Sequence, residues 1–162
     1  MGLNIRAQGV DEVQKYLESE MKKNLFRLKE SLKYVGETVV NEIRDGSASE
    51  WNDQTGNLRS STGYIIAIDG KPEYESSFEQ VSGPLSDTAA ADGGQIGKTF
   101  ARQVASLYPN GIALIIVAGM EYASYVEAMD NKVVLAQGEI NARKLVQDMI
   151  EQLKYRYGQN NP

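Results

Sequence analysis

The segment RSSTGYIIAIDGKPEYESSFE, residues 59–79, decides the fold class. Its Tyr64-Ile65-Ile66-Ala67-Ile68 core is rich in β-branched side chains, which predicts a strand over residues 59–68. Asp69-Gly70 is a tight-turn pair, so the chain returns antiparallel. In the return strand Tyr74, Ser76 and Phe78 alternate with Glu75, Ser77 and Glu79. That alternation predicts one face toward a core and one acidic face toward water.

Upstream, Val10, Val13, Leu17, Met21, Leu25, Leu28, Leu32, Val35, Val39 and Ile43 step by three or four residues. Their mean spacing of about 3.7 is the α-helical period and exceeds the 3.5 of a left-handed coiled coil. This predicts a helix over about 10–44, opened by Asp11 as N-cap and stopped at Asp45-Gly46. Such a helix reaches about 50 Å, whereas a compact chain of this size is about 40 Å across. Either the helix protrudes or it breaks, with Gly36 as the weak point. A protruding apolar stripe needs a partner chain.

Downstream of that helix, residues 45–57 are turn formers around the single tryptophan, Trp51, which is either a lid on the core or an interface anchor. From Ser82 to Gly97, 13 of 16 residues are Gly, Pro, Ala, Ser, Thr or Asp, which predicts a mobile loop. Together with a short helix from Lys98 to Leu107 it forms an insertion over about 82–107. Ile112–Ala118 is apolar on both faces and is expected as a central, covered strand. A short helix is predicted from Glu121 to Met129, and an amphipathic one from Glu139 to Tyr157. The order of elements predicts a single α+β domain over 1–162. A small, mainly antiparallel sheet (about 58–119) is packed by a long N-terminal helix and by C-terminal helices (about 121–157).

The 162 residues are 41% hydrophobic and 24% charged, with a net charge of −5 and neither cysteine nor histidine. That double absence excludes disulfides, thiolate nucleophiles, Ser-His-Asp triads and histidine metal sites. Residues 1–44 are nearly neutral, and the acidity is concentrated in 45–107. No basic face for phosphates is present, so specific nucleic-acid binding is not expected. No apolar run approaches the roughly 20 residues of a spanning helix, and the N-terminus has no signal pattern. The expectation is a soluble protein of a reducing compartment.

Gly93-Gly-Gln-Ile-Gly-Lys98-Thr99 brushes against a phosphate-binding loop, but Asp92 stands where that motif needs glycine. Glu73, Glu75 and Glu79 read as a solvated edge rather than a carboxylate pair, and Asp87 and Asp92 lack calcium-loop spacing. No catalytic, cofactor or metal set emerges, so the chain reads as a non-enzyme. Two clusters say more. In Trp51-Asn-Asp53-Gln-Thr55-Gly56-Asn57-Leu58-Arg59-Ser60-Ser61, Asp53 and Asn57 are placed to hydrogen-bond local backbone, and Gly56 to take positive φ. In Glu121-Tyr122-Ala123-Ser-Tyr125-Val126-Glu127, Tyr122, Tyr125 and Val126 share a helical side that Ala123 lets approach closely.

Taken in order, these clusters resemble the bacteriophage HK97 gp10-like family of tail-completion, or head–tail connector, proteins. The resemblance rests on the long first helix, then Asp53-x-Thr55-Gly56-x-Leu58-Arg59-x-Ser61, then an apolar strand entering Tyr122-Ala123-x-Tyr125-Val126-Glu127, and a last helix. Family members often carry Gly after the Glu of the second motif, where Ala128 stands here. The resemblance implies a non-catalytic virion component without cofactor, forming a ring, typically of six, between portal or adaptor and tail tube. It implies the neck of the virion as location, assembly in the bacterial cytoplasm, and passage of DNA through the lumen. Trp51, Asp53, Thr55, Gly56, Leu58, Arg59, Tyr122, Ala123, Tyr125, Val126 and Glu127 are the motif and candidate interface residues. The acidic hairpin would then face a channel that must not grip DNA. The alternative is a stand-alone module that docks one partner through its apolar helix stripe.

Overall fold

The computed structural model describes residues 9–50, 53–85, 92–120 and 135–159. In chain order these form helix α1 (Val10–Glu50), the one-turn helix α2 (Asn57–Ser60), strands β1 (Thr62–Ile68) and β2 (Lys71–Glu75), helix α3 (Gly93–Ala105), strand β3 (Ile112–Ala118) and helix α4 (Ala136–Gln159). The fold is α+β: a long N-terminal helix, a three-stranded antiparallel sheet and a C-terminal helix. By its contacts the chain divides into two units, Met1–Ser31 and Leu32–Pro162. In the first unit Val10, Val13, Leu17 and Met21, all on the apolar stripe of α1, are 55–70% exposed.

The second unit is built around β1. Strand order is β2-β1-β3, with Thr62↔Ala118 through Ile68↔Ile112 aligned between β1 and β3. Tyr64, Ile65, Ile66 and Ala67 are fully buried. On one face Ile65, Ala67, Ile115 and Val117 pack with Ala101 and Ala105 of α3 and with Phe78. On the other, Leu114 and Ile116 meet Val35, Val39 and Ile43 of α1 and Ala142, Leu145 and Val146 of α4. The expected central strand, β3, is therefore the outer neighbour of β1 among the described residues. Coverage of both its faces, rather than a central position, accounts for its unbroken apolar run.

Helix α1 does not stop at Asp45-Gly46 but continues to Glu50. Holding Gly46 helical costs only about 1 kcal/mol, which helix propagation tolerates. Nor does α1 break at Gly36. A Cβ there would stand 2.6 Å from the Tyr64 ring, so the glycine is the place where helix and sheet come close. One residue on, Glu37 Oε1 accepts the Tyr64 hydroxyl at 3.0 Å. Burial, reinforced by that bond, pushes the Tyr64 phenol far above its ordinary pKa.

Strand β1 starts at Thr62 rather than at residue 59, because Arg59 and Ser60 belong to α2. The Ser60 hydroxyl donates to the Gly56 carbonyl (2.7 Å), and those of Ser61 and Thr62 both donate to the Leu58 carbonyl (2.8 and 3.0 Å). Such local bonds favour a turn over a ladder. Strand β2 ends at Glu75, but the expected alternation continues past it: Ser76 and Phe78 are buried, and Ser77 and Glu79 are exposed. Phe78 adopts φ 46°, turning its buried ring over Gly63. Glu75, unlike the exposed Glu79, is not part of a solvated acidic face. Arg102 grips it bidentately at 2.6 and 2.9 Å, and Lys98 lies 2.9 Å away.

Within the expected insertion over 82–107, the short helix from Lys98 is borne out as far as Ala105, and the mobile loop before it is corrected where it is described. Gly93–Ala105 is an ordered helix opened by Asp92, whose Oδ1 accepts the Gln95 backbone N–H at 3.0 Å. Gly93, Gly97, Ala101 and Ala105 recur every fourth residue and all are buried. The composition that suggested disorder is a close-packing stripe: a Cβ on Gly93 or Gly97 would stand 2.3 or 2.2 Å from the Asn57 or Ser61 carbonyl oxygen. Residues 86–91 and the predicted helix Glu121–Met129 lie outside the described residues.

Candidate functional site

The first motif folds into one hydrogen-bonded turn. The Asp53 carboxylate is 5% exposed and accepts the Gly56 N–H through Oδ1 (3.0 Å) and the Arg59 N–H through Oδ2 (2.9 Å). Arg59 Nε stands 3.6 Å from the same Oδ2, so the charge of Asp53 is partnered as well as bonded. Thr55 Oγ1 accepts the Asn57 backbone N–H at 3.3 Å. Gly56 takes φ 78°, as the sequence required, and a Cβ there would meet the Val81 carbonyl oxygen at 1.9 Å. Leu58 is completely buried beside Ala118 and Met120. The buried Oδ1 of Asn57 has no hydrogen-bond partner among the described residues.

The turn ties together segments distant in sequence. Ser60 Oγ accepts the Val81 N–H (2.8 Å), the Gln54 carbonyl accepts Leu85 N–H (2.7 Å), and the Ser61 carbonyl accepts Gly119 N–H (3.2 Å). From α1, Arg44 Nη2 reaches the Thr62 carbonyl at 2.7 Å. Burial lowers the pKa of that guanidinium, against the pull of Glu79 and Glu37. Chemically the cluster is a fastener, with a carboxylate, hydroxyls and an arginine all turned inward onto backbone.

A second feature is a groove enclosing about 520 Å³. Ile43 of α1, Leu114 and Ile116 of β3, and Leu135, Ala142 and Val146 at α4 form its apolar lining. Glu139 and Arg143, paired at 2.7 Å, and Gln147 complete it. Gly138 keeps α4 near α1, since a Cβ there would meet Ile43 Cδ1 at 2.7 Å.

Of the residues singled out in the sequence, Asp53, Thr55, Gly56, Leu58 and Arg59 are brought together in the turn. Trp51, Tyr122, Ala123, Tyr125, Val126 and Glu127 lie outside the described residues. The groove went unread in the sequence, where Leu114 and Ile116 belong to the expected covered strand and Ala142 and Val146 to the amphipathic last helix. The small-residue stripe of α3 was legible only as a period of four. Among the described residues, no group of three carboxylates gathers as a metal site, and no helix is long and apolar enough to cross a membrane. No protein-family model matches this chain, no curated protein matches it in sequence, and no solved structure matches it in fold.

Proposed function

We propose that this chain is a structural protein of the bacteriophage head–tail junction, of the HK97 gp10-like kind, which assembles into a ring and acts by binding rather than by catalysis. The observation that carries the self-assembly is the stripe of Val10, Val13, Leu17 and Met21, exposed on the same helix whose later turns supply the core residues Val35, Val39 and Ile43. An apolar stripe left in water at this length marks an interaction surface. The choice of family rests on the motif residues Asp53 to Ser61 and on the order of elements. Its neighbours would be portal or adaptor and tube proteins, its setting the virion neck, with DNA passing through the lumen.

Native mass spectrometry over a range of protein concentrations tests the reading. A closed species of six chains is expected. A monomer at every concentration would favour the second reading, a module that docks one different partner through the same stripe.

A further inference from the structure

We infer that residues 10–31 of α1 pair antiparallel with the same residues of a second copy, centred on Met21. The inference rests on the self-assembly proposed above and names its first step as a two-fold pair. Apolar spacing alone does not identify the occupant of the stripe; the charges beside it do. Residues 10–20 carry four acidic and one basic side chain, and residues 21–31 carry four basic and one acidic. At 3.6 residues per turn, Asp11, Glu18, Lys22 and Lys29 fall on one line along the helix, at i, i+7, i+11 and i+18. That flank of the stripe reads acid, acid, base, base. Reversed on a second copy, it sets Asp11 against Lys29 and Glu18 against Lys22, each pair twice. Laid parallel and in register, it sets like charge against like.

The stripe obeys the same symmetry. Leu17 and Leu25 stand four residues either side of Met21, with Val13 and Leu28 beyond them. Val13, Leu17 and Met21 are exposed, and Leu25 and Leu28 are half-buried. A surface that meets its own copy across a two-fold axis must match itself when reversed, a demand that no foreign partner imposes. Two other sources of such a charge pattern fall short. The helix dipole favours acids only in the first turn, so it accounts for Asp11 and Glu12 but not for Glu18, nor for a basic run in mid-helix. Pairing within one helix joins Glu18 to Lys22, but Asp11 and Lys29 are about 27 Å apart along the axis. The pairing uses residues of the first unit alone. Three such pairs make a closed six with dihedral symmetry.

The absence of cysteine lets single cysteines report the register. Leu17→Cys and Leu25→Cys are oxidised mildly, each alone and then mixed. The expected result is a mixed disulfide dimer that neither variant gives alone. Self-cross-linking of each would mean parallel helices and overturn the inference while leaving self-assembly intact. The charges are tested without touching the apolar stripe. Asp11→Lys alone and Lys29→Asp alone should each self-associate on the order of tenfold more weakly than the unaltered chain in native mass spectrometry. Mixed, they should form a heterodimer about as tight as the unaltered pair, because every opposed pair is again acid and base. Self-association unchanged by either substitution, or a mixture no tighter than its components, would overturn the antiparallel pairing. A six-chain species with no mixed cross-link would do the same and leave the assembly reading standing. An unaltered chain that stays monomeric throughout would overturn both.

Discussion

Gly97 lies so close to Ser61 that a Cβ on the glycine would stand 2.2 Å from the Ser61 carbonyl oxygen. That oxygen also accepts the Gly119 N–H at 3.2 Å, so one carbonyl fixes both α3 and the exit of β3. Alanine at an ordinary helical position gains about 1 kcal/mol over glycine. Here the neighbour is backbone and has to move, at about 1–3 kcal/mol for an overpacked site. Gly97→Ala should therefore be net destabilising by up to about 2 kcal/mol, and Gly97→Val by more. Urea unfolding of these variants, with the exposed Thr99→Ala as reference, checks the prediction.

Asp53 is the only described acceptor for two buried N–H donors in its turn, those of Gly56 and Arg59. Hydrogen bonds to a charged group contribute about 1.5–3 kcal/mol each. Asp53→Ala should cost about 3 kcal/mol or more, and Asp53→Asn, which keeps one acceptor oxygen, about half of that. The same chemical denaturation series measures both.

How far the sequence carried the reading depends on which force wrote each element. The stripe of α1 and the strand Tyr64–Ile68 were legible because burial sets a period in the residues themselves. The turn at Asp53 and Gly56 was legible because few residue types satisfy its backbone. Helix α3 was legible only from Lys98 onward; its start was not, because Gly93 and Gly97 are selected by backbones lying within van der Waals contact, and close packing has the same composition as disorder. The neutralisation of Glu75 was equally hidden. Arg102 and Lys98 lie more than 20 residues away, and no local pattern announces a tertiary ion pair. The groove escaped because its apolar residues read as covered strand or buried helix face, and only geometry shows which surface stays open.

The double grip of Arg102, with help from Lys98, holds the Glu75 carboxyl below its ordinary pKa, burial opposing. A carboxyl depressed in the folded state adds stability that is present above its unfolded value, 4.5, and is lost as pH falls through the lower folded value. Glu75→Gln should lower the melting temperature near neutrality and flatten its fall on acidification below that value. Thermal melts at a series of pH values should show the two curves converging at the acid end.

Gly36 offers a second case in which propensity and packing disagree. Substituting alanine in the middle of α1 favours the helix by about 1 kcal/mol, yet its Cβ would lie 2.6 Å from a Tyr64 ring that is wholly buried. Packing should prevail, with Gly36→Ala less stable by up to about 2 kcal/mol. Tyr64→Leu in the same background should restore part of the loss, and a double-mutant cycle isolates the coupling.

The central place of β1 has a consequence for how the chain is made. Its partner β2 follows after a two-residue turn, but the residues of β3 that it pairs with are 44 to 56 positions further on. At about 5–20 residues per second, translation leaves the far edge of Tyr64-Ile65-Ile66-Ala67-Ile68 without its strand partner for several seconds. That stretch has no charge and no proline, the kind of segment that adds to other strands. The nascent hairpin is shielded on its outer side by Lys71, Pro72 and Glu73. Its inner edge stays adhesive until β3 emerges, so the yield of soluble chain should depend on how quickly ribosomes traverse residues 70–118.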